Sequence, residues 1–331
     1  MHTYLTPAPI TVEIRNASGT IHIDLIDTDR TTVDVSLTTG AALGWVDEIV
    51  RAFGGRRGEN ATDTTDTTDT TRGSRWWEAP TGSEADAVLE RVRVELVEHD
   101  DGARLIVDTD PASRGWRTSF AIRVTAPTSS GIRVAAQSAD LTVTGTAGML
   151  DVRSASGDVV AADISDAALV HTASGGIRLQ SVGGRLECRS ASGDVQAAAV
   201  AGAVSLHTTS GDVRLQSTAG DTEVRTVSGD VHIGDLTSGS VQLTAVSGDI
   251  EVGVHPGSLA AVSLSTISGD TRSDLTVTDG PAADAHSGES DAGPVPGEGD
   301  LAAETGQTEP TIDIRVRTTS GDIRLRRAVS V

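Results

Sequence analysis

Apolar and polar residues alternate along most of this chain in short runs, and the runs come in pairs. Leu150 and Val152, Leu186 and Cys188, Val204 and Leu206, and Val241 and Leu243 alternate ahead of a Ser-Gly-Asp tripeptide or a near copy of it. Ile177 and Leu179, Val213 and Leu215, Val231 and Ile233, and Ile250 and Val252 alternate after it. Period-two alternation over about five residues predicts a strand with one buried face, so each pair of runs predicts two short strands. The tripeptide between them reads as a turn: glycine enters the left-handed region at little steric cost, and aspartate accepts hydrogen bonds from nearby amides. A looser second corner uses Val182-Gly183-Gly184, Ala201-Gly202, Ala219-Gly220 or Ser238-Gly239.

The period identifies the architecture. Ser138, Ser156, Ser174, Ser192, Ser210 and Ser228 are each 18 residues apart, and Ser247 and Ser268 follow at 19 and 21. That period is too short for paired helices and marks a stack in which each coil buries its apolar face only against its neighbours. The expected fold is all-β: a single-stranded parallel β-solenoid of about 18 residues per coil, wound right-handed as parallel crossovers are.

The pattern is worn at the N-terminus and interrupted near the C-terminus. Ile10, Val12 and Ile14, then Asn16 to Thr20, then Ile21, Ile23 and Leu25 repeat the strand-turn-strand motif loosely. Val92, Val94 and Leu96, Asp100-Asp101-Gly102, and Leu105 with Val107 predict a hairpin. Phe120, Ile122 and Val124 lead through Pro127 into the regular coils. Ala41 to Phe53 predicts one short helix, with Leu43, Val46, Ile49, Val50 and Phe53 on one face before Gly54-Gly55. Residues 1–126 thus form a degenerate β cap region with a helix at 41–53, and 127–331 form the regular solenoid. After an interruption, Ile312, Ile314 and Val316, then Ser320-Gly321-Asp322, then Ile323 and Leu325 predict a closing coil that ends the stack near Val331.

Charge locates the interruptions. The formal net charge is −21, yet residues 275–310 hold eight acidic residues and no arginine, and residues 59–86 hold seven against two arginines. More than half of the net charge therefore sits in two low-complexity stretches, one containing the tract Thr62 to Asp69. Both are expected as disordered inserts, at about 55–86 and 275–310, because such composition buries too little apolar surface to offset ordering. Closure entropy grows only logarithmically with loop length, so a solenoid accommodates them.

The repeated turn raises a metal question. Stacking places Asp158, Asp194, Asp212, Asp230, Asp249, Asp270 and Asp322 in a column, broken at Gly176, with arginine or histidine two residues further on in several coils. Calcium-binding nonapeptide repeats also build 18-residue coils but use both turns, and here the opposite corner lacks the Gly-x-Asp that would complete a six- to eight-oxygen shell. The column therefore reads as a structural turn ladder with its charge offset by neighbours. A calcium-binding repeat protein is the lesser alternative. His171 and His207 share a repeat position but lie two coils apart, about 9.6 Å, with Arg189 between, and do not read as metal ligands. No metal or cofactor site is expected.

All 26 cationic residues are arginine, which removes lysine-dependent Schiff-base and phosphate-loop chemistry. The single cysteine, Cys188, falls at a core position and excludes disulfides and cysteine-rich zinc sites. All seven aromatics lie in the first 120 residues, leaving the coils without stacking platforms; with the acidic balance, this opposes nucleic acid. Trp45, Trp76 and Trp77 are the candidate contacts for a protein partner, through the N-terminal helix and its neighbourhood. Unpaired strand edges at the solenoid ends offer end-to-end self-association. No run reaches membrane-spanning length and no signal or anchor pattern is seen, so the expected location is cytoplasmic.

The repeated Ser-x-Ser-Gly-Asp-Val strands, the entry segment Phe120 to Pro127 and the degenerate N-terminal Ser-Gly element resemble the bacterial putative adhesin family, domains of unknown function built as β-solenoids. The resemblance covers nearly the whole chain apart from the two inserts. It implies a repeat scaffold and supplies no catalytic residues. The expected function is a non-enzymatic repeat scaffold or binding protein, adhesin-like in kind. The rival from another class is a β-helical carbohydrate-active lyase or hydrolase, which would need a cleft where the repeat breaks.

Overall fold

A computed structural model of the protein describes residues 1–38, 83–99, 102–110, 118–275 and 312–328. The helix expected at 41–53, Trp45, Trp76, Trp77 and most of both acidic inserts lie outside the described residues. The short helix that is described, α1 (Ser83–Leu89), packs Val88 into the core and was not anticipated from the sequence.

The described strands form one continuous sheet. In chain order they begin with β1 (His2–Leu5), β2 (Thr11–Ile26), β3 (Arg30–Leu37), β4 (Arg93–His99), β5 (Gly102–Asp108), β6 (Phe120–Pro127) and β7 (Gly131–Ala147). Paired strands follow, one pair per coil: β8 (Leu150–Ser156) with β9 (Val159–Ile164), and β10 (Ala168–Ser174) with β11 (Ile177–Val182). Next come β12 (Leu186–Ser192) with β13 (Val195–Val200), β14 (Val204–Ser210) with β15 (Val213–Thr218), and β16 (Thr222–Ser228) with β17 (Val231–Leu236). Then come β18 (Gly239–Ser247) with β19 (Ile250–Val254), β20 (Ala260–Ser268) with β21 (Thr271–Ser273), and β22 (Ile312–Ser320) with β23 (Ile323–Arg327). The fold is the parallel β-solenoid that the period predicts, with successive coils in register at an offset of 18 residues: Val170 lies beside Val152 and Cys188, and Leu206 beside Cys188 and Val224.

Alternation places the core as the sequence implies. Leu150, Ala168, Leu186, Val204 and Val241 point inward from the first strand of their coils, and Val159, Ile177, Val195, Val213, Val231 and Ile250 from the second, all essentially without solvent exposure.

Spatial order departs from chain order at both ends. β5 and β6 together make one coil, and the long strand β2 lies between that coil and β7, parallel to both. Antiparallel strands finish this end: β4 on β5, β3 on β6 and β1 on β3. At the other end β22 pairs with β18 on one side and β20 on the other, and β23 lies likewise between β19 and β21. The coil at 312–327 is therefore next to last in space. This corrects the expectation that it closes the stack near Val331; the terminal coil is 260–273.

Side-chain chemistry explains the order. The inner coil places Ile314, Val316, Ile323 and Leu325 in the core, all 1 % exposed or less. The terminal coil offers Val262, Leu264, Thr271 and Ser273 at the registered positions, and Val262 is 41 % exposed. Burial of aliphatic side chains contributes about 1.5–3 kcal/mol each, so the more apolar coil occupies the doubly covered slot.

Candidate functional site

Every Ser-Gly-Asp corner is held from the coil beside it. Gly157, Gly175, Gly193, Gly211, Gly229, Gly248, Gly269 and Gly321 form a column with φ between +122° and +147°. A Cβ on Gly211 would lie 2.3 Å from the carbonyl oxygen of Gly193, so the column requires glycine for close backbone approach as well as for its dihedral angle. The aspartates act across coils. Gly176 N–H donates to Asp158 Oδ1 at 2.8 Å, Asp212 N–H to Asp194 at 3.0 Å, Asp230 N–H to Asp212 at 3.0 Å and Asp249 N–H to Asp230 at 2.9 Å. The ladder continues through the reordered end, with Asp322 N–H donating to Asp249 at 2.8 Å and Asp270 N–H to Asp322 at 3.0 Å. Arg178, Arg214, Arg272 and Arg324 sit within 2.8–3.6 Å of Asp158, Asp212, Asp270 and Asp322. The column thus spends its oxygens on amides and guanidinium groups, and no group of three or more His, Cys, Asp and Glu side chains suited to a metal ion occurs among the described residues.

Cys188 lies between Val170 and Leu206 in the core. Burial, with a smaller contribution from the Glu187 carboxylate, pushes its thiol up to about 12, the opposite of an activated nucleophile. His22 is buried against Asp24, Nε2 to Oδ1 2.7 Å, and its pKa is lowered from the ordinary value near 6.5: burial outweighs the carboxylate's pull.

A concavity lies just before the Ser-Gly-Asp corner, where pairing lapses for one residue in each coil, at Ala155, Ala173, Ala191, Thr209 and Val227. The bend leaves a groove of about 960 Å³ running across successive coils. One wall is those five residues. The other is Arg153, His171, Arg189, His207 and Arg225, which lie side by side in that order. The floor is Ser154, Thr172, Ser190, Thr208 and Thr226. Ser154, Thr172 and Thr208 donate to the carbonyl two residues on, whereas Ser190 Oγ and Thr226 Oγ1 are buried without a hydrogen-bond partner. Arg153, Arg189 and Arg225 reach Asp151, Glu187 and Glu223 at 3.6, 3.1 and 2.6 Å through one Nη2 each. Exposed pairs of this kind contribute little, and a guanidinium has five N–H donors, so donors remain for a ligand.

Of the sequence-derived site residues, the turn aspartates fall into one ladder along the corner, while Trp45, Trp76 and Trp77 lie outside the described residues. Sequence reasoning missed the groove. Its signal was the arginine-histidine alternation at one repeat position, 153 to 225, but the bend that turns that column into a wall is not written in hydropathy.

The described residues form a parallel β-solenoid of repeated corners with an open groove along its coils. The family model described as Toastrack DUF4097 matches residues 117–201 and again 198–326, and the chain belongs to that family. Solved structures resemble it at low identity. A putative adhesin from Parabacteroides distasonis ATCC 8503 is 11 % identical with a TM-score of 0.44 over 98 % of this chain and 96 % of that one. A putative adhesin from Bacteroides fragilis NCTC 9343 is 12 % identical with a TM-score of 0.40 over 98 % and 95 %. A putative cell adhesion protein from Clostridium sporogenes ATCC 15579 is 6 % identical with a TM-score of 0.21 over 98 % of each chain. No curated protein matches. The chain is thus a toastrack protein by family, and the structural likenesses carry no further argument.

Proposed function

We propose that this chain is a non-enzymatic repeat scaffold that binds a macromolecular partner along the groove. The observation that carries the reading is the groove's construction. Over five coils arginine alternates with histidine on one wall and small alanine, threonine and valine side chains line the other, with Arg15 and Asp110 at the end beyond Arg153, which makes an open track suited to an elongated ligand. Small side chains on one wall and donors on the other allow close approach and polar contacts together, the features by which grooves recognise extended segments.

Filling the track tests this. Ala191→Trp places a large side chain at its middle, on an outward position whose substitution leaves the core untouched. Affinity capture from native lysate with the parent protein and with Ala191→Trp, at matched far-UV circular dichroism, should lose the specific partner in the variant. Capture of the same partner in the same yield would refute the groove reading.

A further inference from the structure

The arginine wall has a spacing that selects a ligand. Neighbouring coils are about 4.8 Å apart, so Arg153, Arg189 and Arg225, on alternate coils, repeat at about 9.6 Å along the groove. A polypeptide in the polyproline II conformation has three residues per turn and rises about 3.1 Å per residue, returning the same face every 9.3 Å or so. Carboxylates at every third residue of such a chain meet the three arginines in turn over a run of about 19 Å. A regular β-strand ligand does not fit in this way, because its side chains face one side at every second residue.

We propose that the groove binds an extended acidic peptide of a partner protein, polyproline II in form, with a carboxylate at every third residue. This rests on the groove reading above. Arg153, Arg189 and Arg225 are 70, 60 and 55 % exposed along their side chains, so their free donors face solvent. Guanidinium groups pair with carboxylates in a planar fork. His171 and His207 fall between the arginines and add ring nitrogens to the same wall. Along the floor, Ser190 Oγ and Thr226 Oγ1 are buried without a hydrogen-bond partner next to Arg189 and Arg225. Among the described residues no aromatic side chain lines the groove, so they offer no ring-stacking platform of the kind sugars and bases use, which favours a peptide over a uronate glycan. The chain's own sequence carries the same carboxylate spacing at Asp63, Asp66 and Asp69, and the test must separate that source from a partner.

The probe is a fluorescent twelve-residue peptide, Asp-Thr-Thr repeated four times, titrated by anisotropy against the full chain. Binding should saturate and weaken at least tenfold between about 50 and about 300 mM salt, as screening shortens from roughly 14 to roughly 6 Å. Arg189→Gln should weaken it about tenfold, the loss of one charge-assisted pair. Arg178→Gln, placed after the corner, should leave it unchanged. A peptide of identical composition with its aspartates adjacent should bind at least tenfold more weakly. Equal affinity for the two peptides, indifference to Arg189→Gln, or no binding would overturn the proposal. So would a linear polyuronate binding more tightly than the repeat peptide, which would assign the groove to glycans. A tenfold gain on deleting residues 62–70 would overturn the partner assignment in favour of the chain's own tract; unchanged affinity supports the partner. If Ala191→Trp abolishes partner capture while the peptide fails to bind, the ligand class falls and the groove reading stands.

Discussion

Three glycine-to-alanine substitutions separate two costs that the Ser-Gly-Asp corner combines. Gly102 has φ +120°, and a Cβ added there would meet none of the described residues within 4 Å, so Gly102→Ala incurs backbone strain without a clash against them. Gly183 lacks the positive φ, but its Cβ would sit 2.5 Å from the carbonyl oxygen of Ser165, so Gly183→Ala incurs the clash alone. Gly211 carries both, with φ +137° and the Gly193 oxygen at 2.3 Å. Strain of this kind costs about 1–3 kcal/mol, and forcing extra atoms into a packed site costs about 1–3 kcal/mol. Gly211→Ala should therefore lose about 2–6 kcal/mol, more than either single effect, because both costs fall on one residue. Urea unfolding followed by far-UV circular dichroism measures all three and reports the strands directly, whereas tryptophan fluorescence would not. A Gly211→Ala variant no less stable than Gly102→Ala would refute the close-approach account of the glycine column.

Other consequences follow from the same structure. Cys188 should resist alkylation at pH 8 in the native protein and react fully once unfolded, since its thiol is pushed up to about 12; rapid labelling of the folded chain would contradict its burial. His22 has a folded pKa below its unfolded one, so the unfolded chain binds the proton more readily. Stability should then fall as pH drops below about 6.5 toward the folded pKa, and the slope should flatten in His22→Gln, as urea midpoints across that range would show. Ending the chain after Pro310 removes β22 and β23, and β20 with β21 should move onto β18 and β19. Thr271 and Ser273 would then stand where Ile323 and Leu325 were, at a cost of about 3–6 kcal/mol for two lost aliphatic burials, so the truncated protein should melt lower yet remain folded. Complete unfolding on truncation would show that the two coils are not interchangeable.

Hydropathy made the coils legible because each inward position is filled by the same kind of residue at a fixed offset: Val170, Cys188 and Leu206 are neighbours in space for the reason that they are 18 apart in sequence. Coil order was not legible in that way. Ala260 to Ser273 and Ile312 to Leu325 share one pattern, and the long segment between them costs little to close, so periodicity alone could not assign which lay inside. The choice rests on Ile323 and Leu325 against Thr271 and Ser273, a comparison that becomes decisive only once the slot is known to be covered on both sides. The aspartates were legible as turn residues, but their acceptor role runs to the next coil's amide, a contact created by stacking. The groove needed the bend at Ala155, Ala173 and Ala191, positions whose small size reads in sequence as nothing more than tolerance.

The central claim is a continuous stack of registered coils with the 312–327 coil inside it, since coil spacing sets both the core and the groove. Cysteine pairs at exposed positions test it most directly. Gln242 lies beside Arg315, and Arg315 beside Ser263, so Gln242→Cys with Arg315→Cys should form a disulfide under mild oxidation, with the buried Cys188 left out. Gln242→Cys with Ser263→Cys should not, because two coils separate them by about 9.6 Å, beyond the Cα reach of a disulfide. Mass spectrometry finding the second cross-link and not the first would contradict the account.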